Sequence, residues 1–202
     1  MKITSFALIA LLLIAVTSDS QTTKQKSIYA KQMTYEIGGD IFLSSTNYTR
    51  EKTMYNLSIN ETQQNYVIDI NAGLFVVNGL KISVEPAIGI STDDNYTSTR
   101  LKLYFTPEYV FNVKAEYYPF LGGSVGYTSS SFSGSIGSNP TQGGFSWGAK
   151  GGIKVNAFGN ALINISVLYY QETYNYTSSY EGDVVQHTNI FGVKGGLSLF
   201  FR

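Results

Sequence analysis

Nucleophile–base chemistry has one candidate anchor in this chain, His187, its only histidine. Glu181 and Asp183 precede it, serines lie nearby, and Thr188 and Asn189 follow. A hydroxyl is activated only by an imidazole within hydrogen-bond reach that is itself oriented by an acid. A lone histidine in a polar loop is ordinarily just solvated, so no enzymatic activity is expected. Cysteine is absent, which removes disulfides and thiolate metal sites, and one histidine excludes a multi-histidine site. No cofactor or metal is expected. The glycine pairs 38–39, 122–123, 151–152 and 195–196 lie inside strand-like runs, where glycine relieves crowding and allows bending.

The other chemically capable residues are acids and bases. Glu36, Asp40, Asp69, Glu85, Glu108, Glu116 and Glu172 nearly balance Lys81, Arg100, Lys102, Lys150, Lys154 and Lys194. All share one side of an alternating pattern. Eight runs of period-2 sequence cover roughly 33–45, 63–75, 80–91, 98–111, 116–128, 143–155, 161–173 and 187–201. Connections after the odd runs are long or polar: 46–62, 92–97, 129–142 and 174–186. Those after runs two, four and six are short: 76–79, 112–115 and 156–160. Asn78-Gly79 is a hairpin signal, since both residues tolerate positive φ, and Gly159-Asn160 is a weaker one. The pattern predicts an all-β fold: an eight-stranded antiparallel up-and-down transmembrane β-barrel, with short turns at one end and long loops at the other. Closure abolishes exposed edges.

Which face is apolar separates a membrane barrel from a soluble one. The side opposite the charges carries Ile37, Ile41, Ile68, Ile70, Leu103, Leu121, Ile165, Leu197 and their neighbours, and no charge. A Lys or Arg facing lipid at mid-depth costs about 2–4 kcal/mol, so complete segregation is expected of a membrane wall. Nine glycines share the charged side, which suits a narrow bore. Tyr35, Tyr109, Phe111, Tyr117 and Phe201 fall near the short-turn end of the apolar side; Tyr66, Tyr127, Phe145, Trp147, Tyr169 and Phe191 fall near the long-loop end. Two aromatic belts around an aliphatic band are what the two lipid–water interfaces select. A secreted, soluble lipocalin-like barrel binding an apolar ligand would need the reverse arrangement.

Residues 1–20 read as a signal peptide. Lys2 is followed by an unbroken apolar run, Phe6 to Val16, then small and polar residues. That run is too short to span a bilayer as a helix. Residues 21–32 read as a flexible lead-in, and 33–202 as one barrel domain. Lys plus Arg and Asp plus Glu number 14 each, which argues against nucleic acid as a partner.

The segment Pro119-Phe120-Leu121-Gly122-Gly123-Ser124-Val125-Gly126-Tyr127 resembles the fifth strand of the small OmpA/OmpX-like eight-stranded outer-membrane β-barrels of Gram-negative bacteria. The final strand, Gly192 to Phe201, is similar to that family's C-terminal targeting strand, although Arg202 follows the terminal aromatic here. The resemblance extends over 33–202. It implies residence in the outer membrane, outer-membrane lipid and the barrel-assembly machinery as partners, and a monomer. Barrel deacylases of lipid A place His and Ser two apart on a strand; here Thr188 and Asn189 follow His187, so a lipid A-modifying enzyme remains only an alternative.

Eight strands leave room for little more than side chains. Glu36, Asp40, Asp69, Lys81, Glu85, Arg100, Lys102, Glu108, Lys150, Lys154 and Lys194 are therefore expected to form a paired network that largely fills the bore with Tyr104, Tyr118 and Phe120. Adjacency in sequence order sets Lys194 beside the Glu36/Asp40 strand and Glu85 beside the Arg100/Lys102 strand. The expected role is structural, or an adhesin-like surface interaction with host or matrix ligands through Tyr-, Ser-, Thr- and Asn-rich outer loops. A narrow ion or small-solute channel is the other use of such a bore.

Overall fold

The computed structural model describes residues 29–52, 57–93, 96–111, 116–134, 139–178 and 182–202. It describes side chains over 29–46, 66–90, 98–111, 116–131, 142–175 and 185–202. The signal segment 1–20 and most of the lead-in lie outside the described residues.

Eight strands follow one another: β1 (Tyr35–Lys52), β2 (Leu57–Val77), β3 (Leu80–Asp93), β4 (Tyr96–Val110), β5 (Tyr117–Gly134), β6 (Asn139–Phe158), β7 (Ala161–Ser178) and β8 (Gly182–Phe201). Each pairs antiparallel with its chain neighbour, and β8 returns to β1, from Tyr35↔Phe201 to Lys52↔Val184. The barrel is closed and all-β, as the alternation predicts. Among the described residues there is no helix.

The strands are longer than the apolar alternation. About 9–11 residues cross a bilayer in a tilted strand, yet β2 has 21 residues and β6 and β8 have 20 each. Most of the segments expected as long loops over 46–62, 129–142 and 174–186 are continued hairpin. The apolar alternation ends there, but Thr- and Tyr-rich chain still favours the ladder. The β1–β2 arm runs nine residues beyond Tyr66, to Leu57, which is roughly 30 Å of strand. The β7–β8 arm runs nine beyond Tyr169, to Ser178. The β3–β4 hairpin stops three residues past Ile90, at Asp93.

The tight turns also differ from expectation in detail. Gly79 has φ +83° and Gly159 φ +55°, but Asn78 and Asn160 are not in the left-handed region, so neither turn is type I′. A register shift near each turn, between Phe75 and Val77 and between Asn156 and Phe158, absorbs the mismatch with strand twist.

The wall has two chemically opposite faces. Every charged side chain described within the strands is buried in the bore, six acids and six bases. The outer face is apolar, with Ile68 65% and Leu197 63% exposed. Glycine is required where a ring lies flat against the inner wall. A Cβ on Gly126 would stand 2.6 Å from Tyr104 Cδ1.

Candidate functional site

The bore is built in layers, starting at the short-turn end. The chain preceding β1 folds inward there. Tyr29 is fully buried, edge-on to Phe75 (centroids 5.2 Å apart) and Tyr118 (4.7 Å), and tilted against Phe200 (5.2 Å). Val110, Leu162 and Phe120 complete this apolar floor. The Tyr29 hydroxyl donates to Glu36 at 2.5 Å. Three backbone donors fasten the segment to the rim: Gly79 N–H to the Ala30 carbonyl (2.8 Å), Gln32 N–H to Asn78 Oδ1 (2.9 Å) and Met33 N–H to the Phe75 carbonyl (2.8 Å). Ala30 (φ 61°) and Met33 (φ 64°) take left-handed conformations to make this fold, a strain held by those contacts. The C-terminal end of the lead-in, read from sequence as flexible over 21–32, is thus fixed from Tyr29 onward. Its aromatic ring gains more by filling the bore than the backbone loses in freedom.

Above the floor lies one connected ionic network. Glu36 meets Lys154 (2.7 Å) and Lys81 (3.2 Å). Glu108 meets Lys154 (2.9 Å), Lys81 (3.1 Å) and Lys150 (3.4 Å). Lys150 also pairs with Glu85. Lys194 reaches Asp69 (2.8 Å), Asp40 (3.2 Å) and Glu85 (3.6 Å), and Asn71 donates to Asp40 at 2.9 Å. Charges taken out of water need such mutual compensation, and sharing Glu36, Glu85 and Glu108 among several ammonium groups, and Lys194 among three carboxylates, supplies it.

An apolar layer follows, with Phe42, Val67, Leu168 and Ile190 around Tyr104 and Tyr170, whose rings stack at 4.8 Å and 18°. Beyond it sits a second, smaller ionic group. Lys102 donates to Glu172 at 2.5 Å, and Glu172 also accepts from Tyr174 (2.7 Å), Tyr104 (3.4 Å) and Thr128 (3.4 Å). Arg100 is buried within electrostatic reach of Glu172.

The structure places all eleven residues of the sequence-derived network in the bore. Lys194 does reach Asp40 on the adjoining strand. Glu85 pairs across the bore with Lys150 on β6 and with Lys194, whereas Lys102 pairs with Glu172 on β7. The bore is narrow enough for a lysine stem to cross it, so sheet adjacency does not dictate partners. Among the described residues, one cavity of ≈ 20 Å³ lies within the lower network and another of ≈ 20 Å³ beside Tyr104 and Tyr170. Each is the room of about one water.

On the outer wall, Tyr35, Tyr109, Phe111 and Phe201 are exposed near the short-turn end and Tyr117 is half-buried; Tyr66, Tyr127, Phe145, Trp147, Tyr169 and Phe191 are exposed near the other. Trp147 donates to Gln171 (3.1 Å) and Tyr169 to Asn189 (2.8 Å), so their polar edges meet the polar continuation of the strands. His187 pairs in register with Thr173, and its Nδ1 lies 3.2 Å from Thr173 Oγ1. Neighbouring Thr188 and Glu172 are buried on the bore side. Glu181 and the Asp183 side chain lie outside the described residues.

The sequence places Tyr118 and Phe120 of the floor and Tyr104 of the middle layer in the bore, as expected, but the other apolar members of both layers were not anticipated. Phe42, Phe75, Leu162, Leu168, Ile190 and Phe200 occupy inward positions, and their alternation phase was available to show it. Tyr29 offers no such signal, because it precedes the first period-2 run.

No family model matches the chain, and no curated relative matches it. Among solved structures it is similar to Neisserial surface protein A, with a TM-score of 0.57 at 11% identity over 82% of this chain and 96% of that one. It is similar to the outer membrane protein OprG from Pseudomonas aeruginosa, with a TM-score of 0.52 at 12% identity over 85% and 97%. It is also similar to the outer membrane protein AlkL, solved in lipid bilayers, with a TM-score of 0.50 at 13% identity over 91% and 97%. At such identities the likeness is one of fold. This chain has the fold of the small eight-stranded outer-membrane β-barrels, the group its sequence resembles.

Proposed function

We propose that the chain is a monomeric integral protein of the outer membrane whose bore is a structural polar core. It acts at the cell surface through its hairpin arms, without catalysis. One observation carries this reading: the charged side chains described in the strands all lie in the bore, while the outer wall exposes aliphatic residues between two aromatic zones. In water that wall would be a very large apolar patch, far beyond what soluble monomers expose. In lipid it costs nothing. The lipocalin-like alternative fails on the same ground, since its apolar ligand would meet lysines and carboxylates.

The arms support the surface role. Strands β1–β2, β5–β6 and β7–β8 continue past the upper aromatics, whereas β3–β4 stops short. Their Tyr, Ser, Thr and Asn make an adaptable contact surface for host or matrix ligands. Outer-membrane lipid and, through β8, the barrel-assembly machinery are the partners this reading requires. A channel finds no support in a bore filled by two ionic layers and a stacked tyrosine pair. Fractionation with heat-modifiable gel mobility tests location and closure together; a folded species in the soluble fraction would reject the membrane reading. Large steady conductance in planar bilayers would reject the filled bore. Unchanged cell or matrix binding after shortening the β1–β2 and β7–β8 arms, with the barrel still inserted, would reject the surface role.

A further inference from the structure

The chain ahead of β1 divides its contacts between two sets of neighbours. Its main chain is held by nearby sequence. Gly79 N–H donates to the Ala30 carbonyl, Gln32 N–H to Asn78 Oδ1 and Met33 N–H to the Phe75 carbonyl, and Phe75 N–H returns a bond to the Thr34 carbonyl at 2.9 Å. All these partners lie on β2 or on the turn between β2 and β3. The Tyr29 side chain reaches much further. Besides Phe75 its ring meets Tyr118 of β5 and Phe200 of β8, and Lys154 Nζ of β6 lies 5.8 Å from the ring centre. Its hydroxyl donates to Glu36. Glu36 and Phe200 are directly opposed across the β1–β8 ladder, so this one side chain touches both edges of the seam that closes the barrel. In an unclosed sheet β5 lies four strands from β1, roughly 19 Å at the usual strand spacing. The ring's burial therefore exists only once the barrel has closed. The cost of docking falls on the main chain, since Ala30 and Met33 hold φ 61° and 64°, a region disfavoured for residues with a Cβ.

We infer that residues 29–34 are a latch on the β1–β8 seam: Tyr29 docks after the strands have closed and, once docked, holds the seam shut. The left-handed turn that aims the ring inward is offset by contacts with β5, β6 and β8, and those contacts are absent from an open sheet. A contact formed after the rate-limiting step slows unfolding and leaves folding almost untouched. The latch thus lengthens the life of the closed barrel without making closure faster, which is stability of the kinetic kind. The inference rests on closure alone. It stands apart from the surface role and from which membrane holds the barrel.

Folding and unfolding rates of the full chain in detergent micelles, with closure followed by heat-modifiable gel mobility, provide the test. Tyr29→Ala is expected to unfold about 100-fold faster than the wild type and to fold within about threefold of its rate. Folding slowed as much as unfolding is accelerated would place docking before closure and overturn the inference. An unchanged unfolding rate would overturn it as well. A second measurement uses the wild type alone and decides the matter even if the variant fails to fold. Short trypsin pulses during folding, read by mass spectrometry, report cleavage after Lys31, inside the latch. Protection of that bond is expected to arise with the closed band or after it. Protection ahead of the closed band, or rapid cleavage after Lys31 in the fully closed protein, would reject the latch.

Discussion

The two ionic layers of the bore solve one problem differently. In the lower layer the glutamates are shared: Glu108 has three lysines within 3.4 Å and Glu36 has two within 3.2 Å. In the upper layer Glu172 has one lysine within 2.5 Å and three hydroxyls around it. The lower layer lies between the Tyr29 floor and the Tyr104–Tyr170 stack, and apart from the Tyr29 hydroxyl on Glu36 and the Asn71 amide on Asp40 its hydrogen-bond and ion-pair partners are charges. The upper layer lies on the arm side of that stack, and neutral donors complete its coordination. Where several acids and lysines meet they compensate one another, and where one acid meets one lysine hydroxyls complete its coordination.

Truncating a shared carboxylate should have the largest effect. Glu108→Ala leaves Lys81, Lys150 and Lys154 competing for what remains, and a loss of about 3–5 kcal/mol in urea unfolding from lipid vesicles is expected. A loss below 1 kcal/mol would mean the lower layer is not isolated. Tyr29→Ala removes the floor's central ring and should cost about 3 kcal/mol, at the low end for large aromatic truncations because the preceding chain can shift. It should also open residues 29–33 to a protease supplied on the short-turn side; continued protection would show that the rim hydrogen bonds suffice without the ring. Glu172→Gln keeps an acceptor for Lys102 and its hydroxyl neighbours, so about 1–2 kcal/mol is expected from the same unfolding measurement. An effect equal to that of Glu108→Ala would erase the distinction between the layers. His187→Ala should change stability by less than about 0.5 kcal/mol. Lipid A mass spectra from cells making this variant should match the wild type; a difference would revive a catalytic role.

The barrel was legible because a period-2 chain in contact with lipid on one side must segregate its charges. Asp40, Lys102 and Lys150 all follow that rule, and so do Ile68 and Leu103 opposite them. The strand ends were not legible. From Asn47 to Thr62 the sequence shows no sustained apolar alternation, so the signal stops while the ladder Asn47↔Thr62 to Lys52↔Leu57 continues. The pairing of Glu85 with Lys150 was equally hidden, since strands three apart in order meet only once the sheet has closed.

By itself the sequence determined the number of strands, the direction each side chain faces and the near balance of charge in the bore, because alternation and transfer energies act locally along the chain. Only the tertiary structure decided which acid meets which base, that Tyr29 closes the short-turn end, and that two opposed aspartates share one lysine. Those outcomes depend on closure. The circumference of an eight-stranded ring sets which side chains can reach across it, and no local pattern encodes that distance.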